Sequence, residues 1–162
     1  MKMNLPVIIS FLCLLCSTHL YAQDDIQQVQ EAWGKDKKEL VRLSMALSPE
    51  DSVKFWPLYN EYEIQRQKLG RERILIIDDY MTNYKVMTNA KADDIINKIF
   101  KNDQALTQLQ QQYYKKLKTA LNAMQSARFL HIESYILTII RSSLLEALPV
   151  IGDLDKMKTT QN

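Results

Sequence analysis

Leu47-Ser48-Pro49-Glu50-Asp51 decides how this chain is read, because it has the chemistry of a helix start. Ser48 can accept a hydrogen bond from a free first-turn amide, Pro49 suits the first helical position, and two acids face the positive end of the helix dipole. Downstream, Trp56, Tyr59, Tyr62, Leu69, Ile74, Ile77, Tyr80, Met81 and Tyr84 follow with no clear stop before Thr88. That predicts one helix of roughly 38 residues, about 57 Å long at about 1.5 Å per residue. Pro57 lies inside it. Its ring removes one backbone donor and crowds the carbonyl of Val53, which predicts a kink near Val53 to Trp56 or a short break.

Working outward, Thr88 with Asn89-Ala90-Lys91-Ala92-Asp93-Asp94 is the next start. The helix behind it carries a stripe of Ala92, Ile96, Ile99, Leu106, Tyr113, Leu117 and Ala120, flanked by Leu109 and interrupted by the polar Asp103 and Gln110. Those two side chains are either satisfied across a helix pair, the preferred reading, or they face a wet groove. Asn122 can cap a further helix with Ala127, Leu130, Ile132, Tyr135, Ile136, Ile139, Ile140, Leu144 and Leu148, closed by Pro149 and Gly152. Upstream, Ile26, Val29, Trp33, Leu40, Leu43 and Leu47 form one stripe of a first helix that Gly34 weakens.

Two long helices joined by a short connection must fold back on each other. The expected fold is therefore all-α, four helices with a long antiparallel hairpin, whose length leaves one apolar face for a second copy or a groove. With only 3 Gly and 4 Pro in 162 residues the chain lacks the turns that a sandwich or barrel needs. A single helical domain is expected over 23–152, followed by a polar tail at 153–162.

The first residues read as an address. Lys2 precedes the apolar run Leu5 to Cys16, which is too short for a bilayer, and polar Ser17-Thr18-His19 leads to Leu20-Tyr21-Ala22. This is the pattern of a secretory signal peptide over 1–22, cleaved after Ala22, which places the mature protein in the periplasm. Leu15 before Cys16 argues against a lipoprotein site. Cleavage removes Lys2 from the 21 basic residues and none of the 19 acidic ones, leaving a net charge of +1. Nucleic-acid binding is not expected at that charge, nor is a membrane span after signal removal. Cys13 and Cys16 leave with the signal, so no disulfide is expected.

Catalytic and metal signatures are not found. After signal removal His131 is the only histidine, so neither Glu-x-x-His pairs nor His-Glu-x-x-His can be built. His131 and Glu133 stand two apart and point to different sides of a helix. No cofactor and no enzyme activity are expected; the rival reading is an enzyme whose acid pair comes from different helices, for example Glu133 with an acid on the long helix. The most distinctive local feature is aromatic: Phe55, Trp56, Tyr59 and Tyr62, with Arg66 four residues on. Aromatic and arginine side chains are enriched in binding hot spots. These residues, with Arg128 and Phe129 on the last helix, are the candidate partner-binding set. Ordinary core packing is the competing reading, and the more usual one for aromatics at helical spacing.

Leu47-Ser48-Pro49-Glu50-Asp51, followed by Phe55-Trp56, and Leu121-Asn122-Ala123-Met124-Gln125, followed by Ala127-Arg128-Phe129, resemble the Leu-Thr-x-x-Gln motif of the Spy/CpxP-like periplasmic proteins. The first has Ser for Thr and Asp for Gln; the second has Asn for Thr and keeps Gln125. Phe55-Trp56-Pro57-Leu58-Tyr59-Asn60-Glu61-Tyr62 and Ala127-Arg128-Phe129-Leu130-His131-Ile132-Glu133 also resemble stretches of a group of small exported bacterial proteins of unassigned function. The Spy/CpxP resemblance implies an elongated four-helix cradle, a homodimer, that binds unfolded protein clients or an envelope sensor protein. The near-neutral charge departs from the basic cradle of Spy-like chaperones, and the Met-rich or His-rich segments of metal-responsive relatives are missing. The expected function is that of an exported, non-enzymatic protein-binding module, a chaperone or a regulator of envelope stress. A ligand- or metal-responsive sensor module of the same fold is the alternative.

Overall fold

The computed structural model describes residues 36–148; the expectations for 1–22, for Ile26, Val29, Trp33 and Gly34, and for Pro149, Gly152 and the tail lie outside these residues. The described residues are helical almost throughout. Helix α1 covers 36–45, α2 Pro49–Asn83, α3 Asn89–Ala120 and α4 Ala123–Ala147, with a 3-10 turn at Tyr84–Val86 between α2 and α3. The fold is all-α, and the long α2 and α3 pack as an antiparallel hairpin.

The chain divides into two compact units, Met1–Leu43 and Ser44–Asn162. In the described part of the first, Lys37 and Val41 are buried while Leu40 and Leu43 are exposed. The stripe expected through Leu40 and Leu43 is thus displaced by one position, to an i, i+4 pair on a neighbouring face.

In the second unit, Ala46 stops α1 by taking φ 45°, the left-handed region that disfavours a Cβ. Glycine loses that penalty but gains chain entropy when unfolded. The substitution Ala46→Gly is expected to stabilise the protein by about 0.5–1 kcal/mol, read as a raised urea midpoint; a lowered midpoint would contradict it.

Every cap read from the sequence is present. The Asp51 amide donates to Ser48 Oγ at 3.1 Å, the Lys91 amide to Thr88 Oγ1 at 3.2 Å, and the Gln125 amide to Asn122 Oδ1 at 2.9 Å. Helix α2 runs unbroken through Pro57, so the short break does not occur. Pro57 and Val53 both lie on the exposed face, where water can take the carbonyl that proline leaves without its helical donor. Nor does the helix reach Thr88: Asn83 Nδ2 donates to the Asp79 carbonyl (2.8 Å) and to Asp79 Oδ1 (3.0 Å), and the chain tightens into the 3-10 turn.

Rising numbers on α2 meet falling numbers on α3. Gln65 Nε2 donates to Tyr113 Oη at 2.8 Å, Asn102 Nδ2 to the Leu69 carbonyl at 3.0 Å, and Asp79 near the turn pairs with Lys98 at 3.2 Å and with Lys91. The Lys91 hydrogen bond outweighs desolvation and, with Lys98, holds the Asp79 carboxyl below the usual carboxylate range. The buried stripe of α3 is Ile95, Asn102, Leu109, Tyr113 and Leu117. Its second half is as expected except that Leu109 belongs to the stripe, whereas in the first half the register is shifted by one and Ile96 is exposed.

On α4 the correction is larger. Ser126, Phe129, Glu133 and Ile136 are buried, while Ala127, Tyr135 and Ile139 of the expected stripe are exposed. Apolar residues lie on several sides of this helix, so hydrophobic periodicity does not select a face. No helix among the described residues is long and apolar enough to cross a membrane.

Candidate functional site

Three structural features bear on function: an aromatic core with buried charges, a junction of two helix starts, and a groove.

The aromatic core sits where α2, α3 and α4 meet. Phe129 from α4 packs edge-on against Phe55 (5.5 Å between centroids), Tyr59 (6.0 Å) and Tyr62 (5.4 Å), and Tyr62 packs edge-on against Tyr113 of α3 (5.4 Å). Such edge-to-face pairs satisfy the ring quadrupoles. Phe55, Tyr59, Tyr62 and Phe129 are all buried, so these four members of the candidate partner-binding set are core residues and offer no surface. The reason is spacing: positions 55, 59 and 62 fall on the side of α2 that α4 covers. Trp56 is half-buried against Phe55 and Tyr59, Arg66 is half-buried, and Arg128 is exposed, its Nη1 3.4 Å from the Met45 carbonyl.

Charge is built into the same core. Glu133 is 0% exposed and accepts a hydrogen bond from Tyr62 Oη at 2.9 Å. Glu63, 8% exposed, pairs with Arg66, whose Nε and Nη2 both reach Glu63 Oε1 (2.9 and 2.5 Å). Desolvation, reinforced by the fields of Glu133 and Glu63, pushes the Tyr62 hydroxyl far above the ordinary phenol range, and burial raises Tyr59 likewise. Desolvation opposes the Arg66 charge, but its hydrogen bond to Glu63 and the nearby carboxylates overcome this and raise its pKa. Tyr113 extends the network outward: its hydroxyl accepts from Gln65, lies 3.4 Å from Glu61 Oε2, and its ring carries the Lys116 ammonium 4.5 Å from the centroid.

An acid on the long helix therefore does share a neighbourhood with Glu133. Both carboxylates lie in the core, Glu133 accepting from Tyr62 and Glu63 paired with Arg66. Among the described residues no three His, Cys, Asp or Glu side chains gather as metal ligands, and His131 is exposed.

The second feature joins the two motif stretches. Gln125 Nε2 donates to Asp51 Oδ2 at 2.8 Å, while Asn122 Nδ2 donates to Gln125 Oε1 at 2.7 Å. The last residue of each motif thus contacts the other motif, tying the start of α2 to the start of α4.

The third feature is a groove of about 290 Å³ between α3 and α4, lined by Asp103, Thr107, Gln110, Ser134, Thr138 and Arg141 over Leu106 and Leu137. Asp103 Oδ1 receives Arg141 Nη2 at 2.7 Å and Arg73 Nη1 at 3.4 Å, so this one carboxylate connects α2, α3 and α4. Of the two polar interruptions of the α3 stripe, Asp103 follows the preferred reading and is satisfied across helices, whereas Gln110 follows the alternative and lines the groove.

No protein-family model matches this chain, and no significant match exists among curated proteins or solved structures.

Glu63, Gln65 and Tyr113 were not among the residues singled out as a site. Glu63 carried a usable signal, since it stands four residues after Tyr59 and three before Arg66, which puts a carboxylate on the aromatic side of α2. The partnership of Tyr62 with Glu133 spans 71 positions and has no local signature.

Proposed function

We propose that this is an exported, non-enzymatic protein-binding module of the cell envelope, acting as a chaperone or as a regulator of envelope stress through protein contacts. The observation that carries the reading is the outer face of α2. Val53, Ile64 and Leu75 stand there 75%, 69% and 66% exposed, and they are spaced eleven residues apart. Eleven residues make close to three helical turns, so these side chains fall near one line, about 16 Å apart. Charged Glu61, Lys68, Arg71 and Asp78 on the exposed surface of the same helix keep the apolar points separate. Separated apolar points among charges suit weak contacts with many different chains better than one tight partner. Gln125 and Asp51, which meet at 2.8 Å, bring together the two stretches that carry the resemblance to Spy/CpxP-like proteins, a resemblance that implies the same class of function.

Suppression of light scattering by an aggregating, chemically denatured model client tests the reading. The mature protein in several-fold molar excess is expected to suppress aggregation. The double substitution Ile64→Asp, Leu75→Asp is expected to weaken that effect while changing stability by no more than about 0.5 kcal/mol per site, as exposed positions allow. No suppression at several-fold excess would reject the chaperone form. Full suppression by the double variant would reject the α2 face as the contact surface.

A further inference from the structure

The α3–α4 groove has a chemistry that client holding does not use. Arg141 and Asp103 are its charged lining residues, and Arg73, outside the lining, adds a second arginine to the same carboxylate, so the Arg73–Asp103–Arg141 triad carries a net charge of +1. A guanidinium has five N–H donors in a planar fork, and the contacts with Asp103 occupy one nitrogen of each arginine. Arg141 lines the groove, is 48% exposed at its side chain and keeps donors beyond the one used on Asp103. Inside the groove, Gln110 and Ser134 make no side-chain hydrogen bond with any other described residue. Thr107 and Thr138 spend their hydroxyl hydrogens on the backbone carbonyls of Asp103 (3.0 Å) and Ser134 (2.8 Å). The amide of Gln110 and the hydroxyl of Ser134 are therefore the donors at hand, one from each wall, beside the arginine.

A guanidinium, an amide and a hydroxyl around one cleft match an oxyanion: the guanidinium offers paired N–H groups to two oxygens, and the neutral donors satisfy the rest. Leu106 and Leu137 line the same space and suit a short carbon skeleton rather than a bare ion. We propose that the α3–α4 groove binds a small molecule bearing a carboxylate or phosphate, held at its charged end by Arg141 and positioned by Gln110 and Ser134. A volume of about 290 Å³ restricts the ligand to metabolite size. This site stands apart from the outer face of α2, so its existence does not depend on client binding.

The test is a titration of the isotope-labelled mature protein, followed by amide chemical shifts, with inorganic phosphate and with citrate in separate arms and sodium chloride balancing ionic strength. Saturable shifts centred on Gln110, Ser134 and Arg141 are expected in at least one arm; the responding arm tells phosphate from carboxylate. Arg141→Gln is expected to weaken the responding probe roughly tenfold, about the loss of one charge-assisted hydrogen bond. If that variant loses its helical circular dichroism, the double variant Gln110→Ala, Ser134→Ala keeps the charge and is expected to weaken binding as well. Shifts that never saturate, that sodium chloride alone reproduces, or that persist unchanged in the folded variants would overturn the proposal.

Discussion

Replacing Phe129 with alanine is expected to remove about 3–5 kcal/mol of stability, the cost of emptying a buried aromatic site. The ring is fully buried and lies within 6.0 Å, centroid to centroid, of Phe55, Tyr59 and Tyr62. It is the aromatic through which α4 closes on the long hairpin, and three rings of α2 lose a neighbour with it. Against a total of about 5–15 kcal/mol for an ordinary domain, that loss is a large fraction of the stability. Urea unfolding followed by circular dichroism at 222 nm measures it. His131→Ala, two residues further along α4 and exposed, is the control and is expected to stay within about 0.5 kcal/mol of the parent. A loss below about 1 kcal/mol at Phe129 would contradict the core assignment and return the aromatic set to the surface reading.

Tyr62→Phe is the second large effect, and it separates a hydrogen bond from the ring that carries it. The ring stays, so packing against Phe129 and Tyr113 is retained, but the donor to the buried Glu133 is lost. Hydrogen bonds to charged groups contribute about 1.5–3 kcal/mol, and that is the expected loss. Tyr59→Phe is the contrast. Among the described residues the Tyr59 hydroxyl is buried with no hydrogen-bond partner, so its removal is expected to leave stability level or raise it slightly. If both substitutions cost the same, the Tyr62–Glu133 bond is not what makes Tyr62 matter.

The same two tyrosines set an alkaline limit. Their pKa values in the folded protein are raised by desolvation above the unfolded phenol value of about 10. The unfolded chain therefore loses these protons first. The stabilisation is fully present below pH about 10 and is lost as pH rises beyond it. Urea midpoints are expected to fall between pH 9 and pH 11, and to fall less steeply in Tyr62→Phe, which has one fewer phenol to ionise. An equal slope in parent and variant would count against the shift at Tyr62.

Local structure was legible in the sequence. A cap needs one side chain and an amide three residues on, so Ser48, Thr88 and Asn122 could be assigned before any partner helix was known. Helix identity followed from the same signals together with the scarcity of glycine and proline, and the hairpin followed from two long helices with a short connection. Register was harder. On the second half of α3 one side of the helix is clearly apolar, and Tyr113 and Leu117 were placed correctly. On α4, Leu130, Ile132, Tyr135, Ile136, Ile139 and Ile140 surround the helix, and a period cannot point inward when most directions are apolar. The aromatic set was ambiguous for a related reason: the spacing of 55, 59 and 62 shows that the rings share a face, and not whether another helix covers it.

What the amino-acid order determined by itself, then, is where α2, α3 and α4 begin, that they are helices, and that two long ones must double back, because each of these depends on interactions within a few residues. What only tertiary structure decided is which faces are buried and which charges meet. Glu133 reaches Tyr62 across 71 positions, and Asp103 gathers Arg73 and Arg141 from helices on either side of it in the chain. Those partnerships depend on the depth and rotation at which α4 settles on the hairpin. That placement is set by packing summed over many residues, and no short stretch of the chain records it.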